Sequence, residues 1–186
     1  MKIAFSEPPP AKIWRSLEAW PEHLRPAGLW PLITETTSLT SKLRERAGED
    51  FHLRVLSEHE LRVDPEDAPL IEAEAGEHGY GREVYLCGAE PWVYARSLGV
   101  TSQGGDRWLK ELGARSLGER AFAEEGTVRG PIQAAQVGAG HALYEGAVSG
   151  LRERPLQPFL WARRSVLSVG KARLLIYECF LPGLAL

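Results

Sequence analysis

The run Leu174-Leu175-Ile176-Tyr177-Glu178-Cys179-Phe180-Leu181 is apolar at every position except Glu178. It predicts a strand covered on both faces. Side chains alternate along a strand, so Glu178 shares its face with Leu174, Ile176 and Phe180. Residues 159–169 form the other arm of a hairpin, joined to it by Gly170-Lys171-Ala172. A second hairpin pairs residues 82–87 with 92–100 around Gly88-Ala89-Glu90-Pro91. Phe51, Leu53 and Val55 alternate with polar residues and predict a half-buried strand, and residues 127–137 predict another. Ile13, Trp14, Leu17 and Trp20 lie on one helical stripe, which predicts an amphipathic helix over 11–20. A second helix runs from Ser38, an N-cap, to Ala47, with Gly48 as the C′ residue. Residues 106–112 predict a helix ending at Gly113, and Ser116 caps another through Ala123. The acidic stretch 57–79, with Pro65 and Pro69, reads as a long exposed connection. The Gly- and Ala-rich stretch 138–156 reads as a loop with at most a helical turn.

Adjacent hairpins with separate helices predict an α+β fold. The expectation is a single antiparallel sheet of about six strands flanked by helices, in one domain over residues 1–186. The composition, 44% hydrophobic and 25% charged, fits a soluble globular chain. A net charge of −3 gives no electrostatic reason to expect a nucleic-acid partner. Cys87 and Cys179 both lie in apolar strand-like runs with no CxxC, which predicts reduced, buried thiols. Residues 1–10 lack the apolar segment of a signal peptide, and no stretch approaches the ~20 apolar residues of a membrane span. A cytoplasmic protein without stable membrane insertion is expected.

No P-loop, GxGxxG, HExxH or paired metal-ligand spacing occurs in the sequence, and the five histidines are scattered in mostly polar surroundings. What carries chemistry is charge on apolar strands. A carboxylate at Glu178 is costly unless it is paired or used. Arg82 is in phase with Val84 and Leu86, and Arg96 with Trp92 and Tyr94; Arg163 and Arg164 point to opposite faces. Guanidinium groups bind carboxylates bidentately in a fixed plane. Two inward arginines and one inward glutamate suit a small dianionic organic acid. The competing reading is structural ion pairing, for example Glu178 with Arg82 across the sheet.

Three segments together resemble the chorismate pyruvate-lyase family. The first is Arg82-Glu83-Val84-Tyr85-Leu86-Cys87 with Glu90-Pro91-Trp92-Val93-Tyr94-Ala95-Arg96; the second is Leu112-Gly113 with Ser116-Leu117-Gly118. The third is Leu160-Trp161-Ala162-Arg163-Arg164-Ser165 with Glu178-Cys179-Phe180-Leu181-Pro182, and Ser38-Leu39-Thr40 is a weaker echo. Ser116 stands where the family pattern has proline, and the stretch from Gly138 to Pro158 is longer than expected. The resemblance implies elimination of pyruvate from chorismate to give 4-hydroxybenzoate, the first step of ubiquinone biosynthesis. It implies a monomer without cofactor, with a site buried beneath mobile segments, and the lack of metal-ligand spacing predicts no metal requirement. By resemblance, Arg82 and Glu178 are the catalytic pair. Arg82 clamps the ring carboxylate, Glu178 faces the ring hydroxyl, Arg96 is a partner for the pyruvyl carboxylate, and Leu39 and Leu117 wall the pocket. The alternative is a non-catalytic domain binding aromatic carboxylates, like the effector domains of bacterial transcription regulators. Those carry a basic DNA-binding domain ahead of the fold, which the roughly eighty residues before Arg82 do not resemble.

Overall fold

The computed structural model describes residues 13–153 and 155–184. In chain order the strands are β1 (Arg15–Ser16), β2 (His52–Arg62), β3 (His78–Cys87), β4 (Pro91–Val100), β5 (Val128–Arg129), β6 (Gln133–Gly138), β7 (Phe159–Val169) and β8 (Ala172–Phe180). The helices are α1 (Trp30–Ile33), α2 (Leu39–Ala47), α3 (Gly105–Lys110), α4 (Leu117–Ala123) and α5 (Ala142–Ser149). The strands form one antiparallel sheet in the order β1-β6-β7-β8-β4-β3-β2, with β5 also paired to β7. The two hairpins, β3–β4 and β7–β8, meet through β4 and β8 at the centre, where both faces are covered. The strands beyond the expected six include the two-residue β1 and β5.

The front face carries α1 to α4 and the back face carries α5 with the 63–73 connection. The back core is continuous: Tyr85, Tyr94, Leu98, Leu175, Tyr177 and Cys179 pack against Ile71, Leu143, Ala147 and Val148. The front core is split. Ile33, Leu39, Leu43, Leu86, Trp161 and Phe180 form one cluster; Trp108, Leu109, Leu167, Leu174 and Ile176 form the other. Cys87 and Cys179 are free and buried, and burial pushes the Cys179 thiol up to about 12.

Three expectations change. In the described part of 11–20, Arg15–Ser16 pairs with β6 and a 3-10 turn follows. The reason is that the two tryptophans serve opposite faces: Trp14 packs on Tyr177 at the back, and Trp20 joins the front cluster and donates to the Ala134 carbonyl. One helical stripe cannot do both. The start of the 57–79 stretch is strand, since β2 runs to Arg62, and the connection beyond it buries Val63, Ala68 and Ile71. As an edge strand, β2 shows charged side chains that discourage pairing with other chains. The 138–156 stretch holds α5, capped by His141. Its small residues serve close packing: a Cβ on Gly146 would lie 2.6 Å from the Tyr94 hydroxyl. The start of the chain, including Pro8-Pro9-Pro10 and the segment read for a signal peptide, lies outside the described residues.

Candidate functional site

The gap between the two front clusters is filled by a polar belt. Along β8 the inward residues run Leu174, Ile176, Glu178, Phe180, so the apolar row breaks at Glu178. Register aligns the rest: Arg82 on β3 lies opposite Ser97 on β4, and Glu178 lies opposite Ala95 on one side and Arg163 on the other. Ser165 follows Arg163 on the same face of β7 and is buried.

Glu178 is 7% exposed, and its Oε2 accepts from Arg163 Nε at 2.5 Å. Arg163 is fully buried, and its Nη1 donates to the carbonyls of Leu32, Ile33 and Glu35 at 3.0, 3.3 and 2.7 Å. These carbonyls lie at and just beyond the end of α1, where helical bonding runs out; that of Leu32 also accepts from the Glu35 amide at 3.4 Å. Burial works against charge on Glu178, but the attraction of Arg163 and Arg129 outweighs it and holds the carboxyl below the usual carboxylate range. Glu178 is therefore an anion at neutral pH. The Glu178–Arg82 pair of the competing structural reading does not form, because β4 separates their strands; the partner directly opposite is Arg163. Arg164 faces the back, bonded to Gln133 and stacked on Trp14.

Arg82 is 2% exposed. Its Nη2 and Nη1 donate to the Gly113 and Arg115 carbonyls at 2.6 and 3.2 Å, tying β3 to the connection between α3 and α4. Its Nε lies 3.2 Å from Glu58 Oε1, across the β2–β3 ladder, but out of line for a hydrogen bond. Burial lowers its basicity and Glu58 opposes that; the guanidinium remains protonated.

The roof consists of α2 and α4, which start side by side. Ser38 and Ser116 cap them, accepting from the amides of Ser41 and Glu119. Ser116 also donates to Glu119 Oε2, which shows how serine serves where the family pattern has proline. A Cβ on Gly118 would come within 3.2 Å of Ser38 Oγ, so glycine permits the approach of the two helices. A fork of Arg44 Nε and Nη2 on Glu119 Oε1 and Oε2, at 2.7 and 3.1 Å, bridges them.

Under this roof a cavity is lined by Arg82, Glu178, Leu39 and Leu117, all expected, together with Thr40, Ser97, Ser116 and Arg129 and an apolar wall of Val84, Leu86, Ala95 and Ile176. Its volume is about 30 Å³, room for a water or two, whereas a cavity that holds benzene measures about 150 Å³. The roof must move to admit an aromatic ligand.

Arg96 does not join this group. It shares the back face with Tyr94 and lines a separate cavity of about 350 Å³ with Asp67, His141 and Tyr177. The phase with Tyr94 was sound, but Tyr94 belongs to the back core, so the same alternation removes Arg96 from the site. The basic residue that sequence reasoning missed is Arg129 on β5. Its Nε and Nη2 donate to the carbonyls of Thr36 and Thr37, both at 3.1 Å, and Nη1 to Ser165 Oγ at 2.5 Å. The available signal was Gly130-Pro131, which interrupts the strand read over 127–137 and sets Val128–Arg129 apart. No cluster of three or more metal-ligating side chains occurs among the described residues, and no helix among them is long and apolar enough to cross a membrane.

Residues 22–185 match the family described as Chorismate lyase. A protein of Azoarcus sp. (strain BH72) named "Probable chorismate pyruvate-lyase" is 35% identical over 175 residues, covering 90% of this chain and 92% of that protein. One of the same name from Halorhodospira halophila (strain DSM 244 / SL1) is 37% identical over 184 residues, covering 94% and 92%. In fold, the chain is similar to the effector domain of PhnF from Mycobacterium smegmatis, with a TM-score of 0.54, 17% identity, and coverage of 78% of this chain and 89% of that one. That last likeness concerns the fold alone. The extent of the family match and the identity to these relatives agree with the three motif segments: this chain belongs to the chorismate lyase family.

Proposed function

We propose that this chain is a chorismate pyruvate-lyase that converts chorismate to 4-hydroxybenzoate and pyruvate, the step that opens ubiquinone biosynthesis, and that it works in the cytoplasm as a monomer without a cofactor. The observation that carries the reading is that Arg82 and Glu178 line one small cavity together with Leu39 and Leu117. Arg82 at one side and Glu178 at the other, beside the apolar wall of Val84, Leu86, Ala95 and Ile176, match a ring with a carboxylate at one end and a hydroxyl at the other. Arg82 takes the ring carboxylate and Glu178 accepts from the ring hydroxyl.

In the reaction the ether bond between the ring and the enolpyruvyl oxygen breaks, and its electron pair leaves with enolpyruvate. A proton departs from the hydroxyl-bearing ring carbon, closing the aromatic sextet. Enolpyruvate takes up a proton on its methylene carbon to become pyruvate. As the ether breaks, the ring becomes electron-poor beside the Glu178 carboxylate. A preorganised anion there stabilises the transition state more than the ground state. Aromatisation supplies the driving force, so no redox or electrophilic cofactor is called for.

Purified protein incubated with chorismate should produce equimolar 4-hydroxybenzoate, followed by its absorbance, and pyruvate, followed by a coupled dehydrogenase. Activity should survive exhaustive chelation. Tight binding of 4-hydroxybenzoate with no turnover of chorismate would replace this reading with that of a ligand-sensing domain.

A further inference from the structure

Chorismate carries two carboxylates, and the assignment above accounts for one. Among the described residues lining the front cavity, the cations are Arg82 and Arg129. We infer that Arg129 binds the enolpyruvyl carboxylate and thereby sets the preference for chorismate over its aromatic product; this rests on the lyase reading.

Three observations support the assignment. The first is position relative to Glu178. The ether-bearing and hydroxyl-bearing ring carbons are neighbours, whereas the ring carboxylate lies across the ring from the hydroxyl. The group that receives the enolpyruvyl arm must therefore sit beside Glu178, away from Arg82. Arg129 meets this requirement: β5 pairs with β7, the neighbour of β8, while Arg82 lies two strands away on the other side of Glu178. Arg129 is also close enough to attract the Glu178 carboxylate.

The second is preorganisation. The carbonyls of Thr36 and Thr37 and the hydroxyl of Ser165 each take one N–H of the guanidinium. A guanidinium has five N–H donors in one plane, so two remain, one on each Nη. A fork held this way loses little freedom when it meets a carboxylate. The third is electrostatic. Burial depresses the basicity of Arg129, the Glu178 carboxylate raises it, Arg163 lowers it and the Glu35 carboxylate raises it again. The charge on departing enolpyruvate would develop beside this guanidinium, which stabilises it.

The test compares two ligands that differ in the enolpyruvyl arm. For wild type, Arg129→Ala and Arg129→Lys, KM and kcat for chorismate are measured beside the equilibrium binding of 4-hydroxybenzoate and thermal unfolding. If Arg129 holds the arm, Arg129→Ala should lose about 10- to 100-fold in kcat/KM, the scale of a hydrogen-bonded charge. Affinity for 4-hydroxybenzoate should stay within about threefold, since that ligand has no arm. Arg129→Lys should recover part of the loss, keeping charge but not the fork. Parallel losses of chorismate turnover and 4-hydroxybenzoate affinity would assign Arg129 to the wall alone and overturn the inference. So would wild-type kcat/KM in Arg129→Ala, or failure of both variants to fold. A wild-type protein that binds 4-hydroxybenzoate but leaves chorismate intact would instead defeat the lyase reading.

Discussion

The Glu178 carboxylate lies 2.5 Å from Arg163 Nε on one side and lines the front cavity on the other. Glu178→Gln keeps the volume and a hydrogen-bonding carbonyl but leaves Arg163 buried without its counter-charge. Breaking a buried pair from one side costs about 3–5 kcal/mol, so a marked fall in melting temperature is expected. Turnover should fall by about 100-fold or more. Arg163→Met added to Glu178→Gln removes the orphaned cation but also the donor to the Leu32, Ile33 and Glu35 carbonyls, so stability should not return to wild type, and turnover should not recover. Recovery of turnover in the double variant would mean that Glu178 acts only through Arg163. The pH dependence has a definite sign. The folded-state pKa of Glu178 is depressed by Arg163 and Arg129 after they overcome burial. In acid the unfolded chain binds the proton first, so the stabilisation is present above the ordinary carboxylate range and is lost as pH falls through the depressed value. Urea unfolding from pH 7 downwards should show this acid limb, and Glu178→Gln should flatten it. Arg82→Ala should lose most turnover, with kcat/KM falling about 10- to 100-fold, the scale of one charge-assisted pair; wild-type kinetics at low and saturating chorismate would refute its role.

Helices α2 and α4 were legible in the sequence because each announces its start with a serine whose hydroxyl caps it. Their mutual contact was not legible, since it depends on Arg44 and Glu119 meeting across 75 residues of chain. The same limit applies to Arg129: a two-residue strand has too little periodicity to reveal which way its side chains face. α5 was missed for a different reason. Glycine and alanine weaken a helical signal in isolation, yet here they let the helix press onto Tyr94. The Arg44–Glu119 fork joins the two roof elements and is half exposed on the Arg44 side. Exposed pairs contribute about 0–1 kcal/mol, so Arg44→Ala should scarcely change the melting temperature. It should instead speed release of bound 4-hydroxybenzoate, because the roof parts more readily. Stopped-flow displacement would measure that rate; the charge-reversed double variant Arg44→Glu with Glu119→Arg should restore slow release. An unchanged off-rate in Arg44→Ala would mean that the pair does not hold the roof.

The two faces of the sheet divide the labour. The antiparallel α+β sheet followed directly from the paired hairpins, and the break in the apolar row at Glu178 marked the candidate site on it, because alternation is a local property of a strand. Which face a given strand turns to the roof is set by sheet order, which alternation does not specify, and on that point Arg96 was misplaced. The back face carries stabilising polar contacts away from the front cavity. Tyr85 is fully buried; its hydroxyl donates to the Ala147 carbonyl at 2.7 Å and accepts from the Gly150 amide at 3.2 Å, fastening both the body and the end of α5. Tyr177 donates to the buried Asp67 carboxylate at 2.5 Å. Tyr85→Phe leaves the buried Ala147 carbonyl without its donor, at a cost of about 1–3 kcal/mol. If the faces are separate in function, that loss should appear as a lower melting temperature with kcat/KM for chorismate close to wild type. Arg96→Ala, also on the back, should likewise turn over chorismate at close to the wild-type rate, in contrast to Arg82→Ala on the front. Measured side by side, the three variants separate the faces: a fall of tenfold or more in kcat/KM for Arg96→Ala, with its melting temperature unchanged, would return Arg96 to the site and require the substrate to reach through the sheet or the sheet to rearrange.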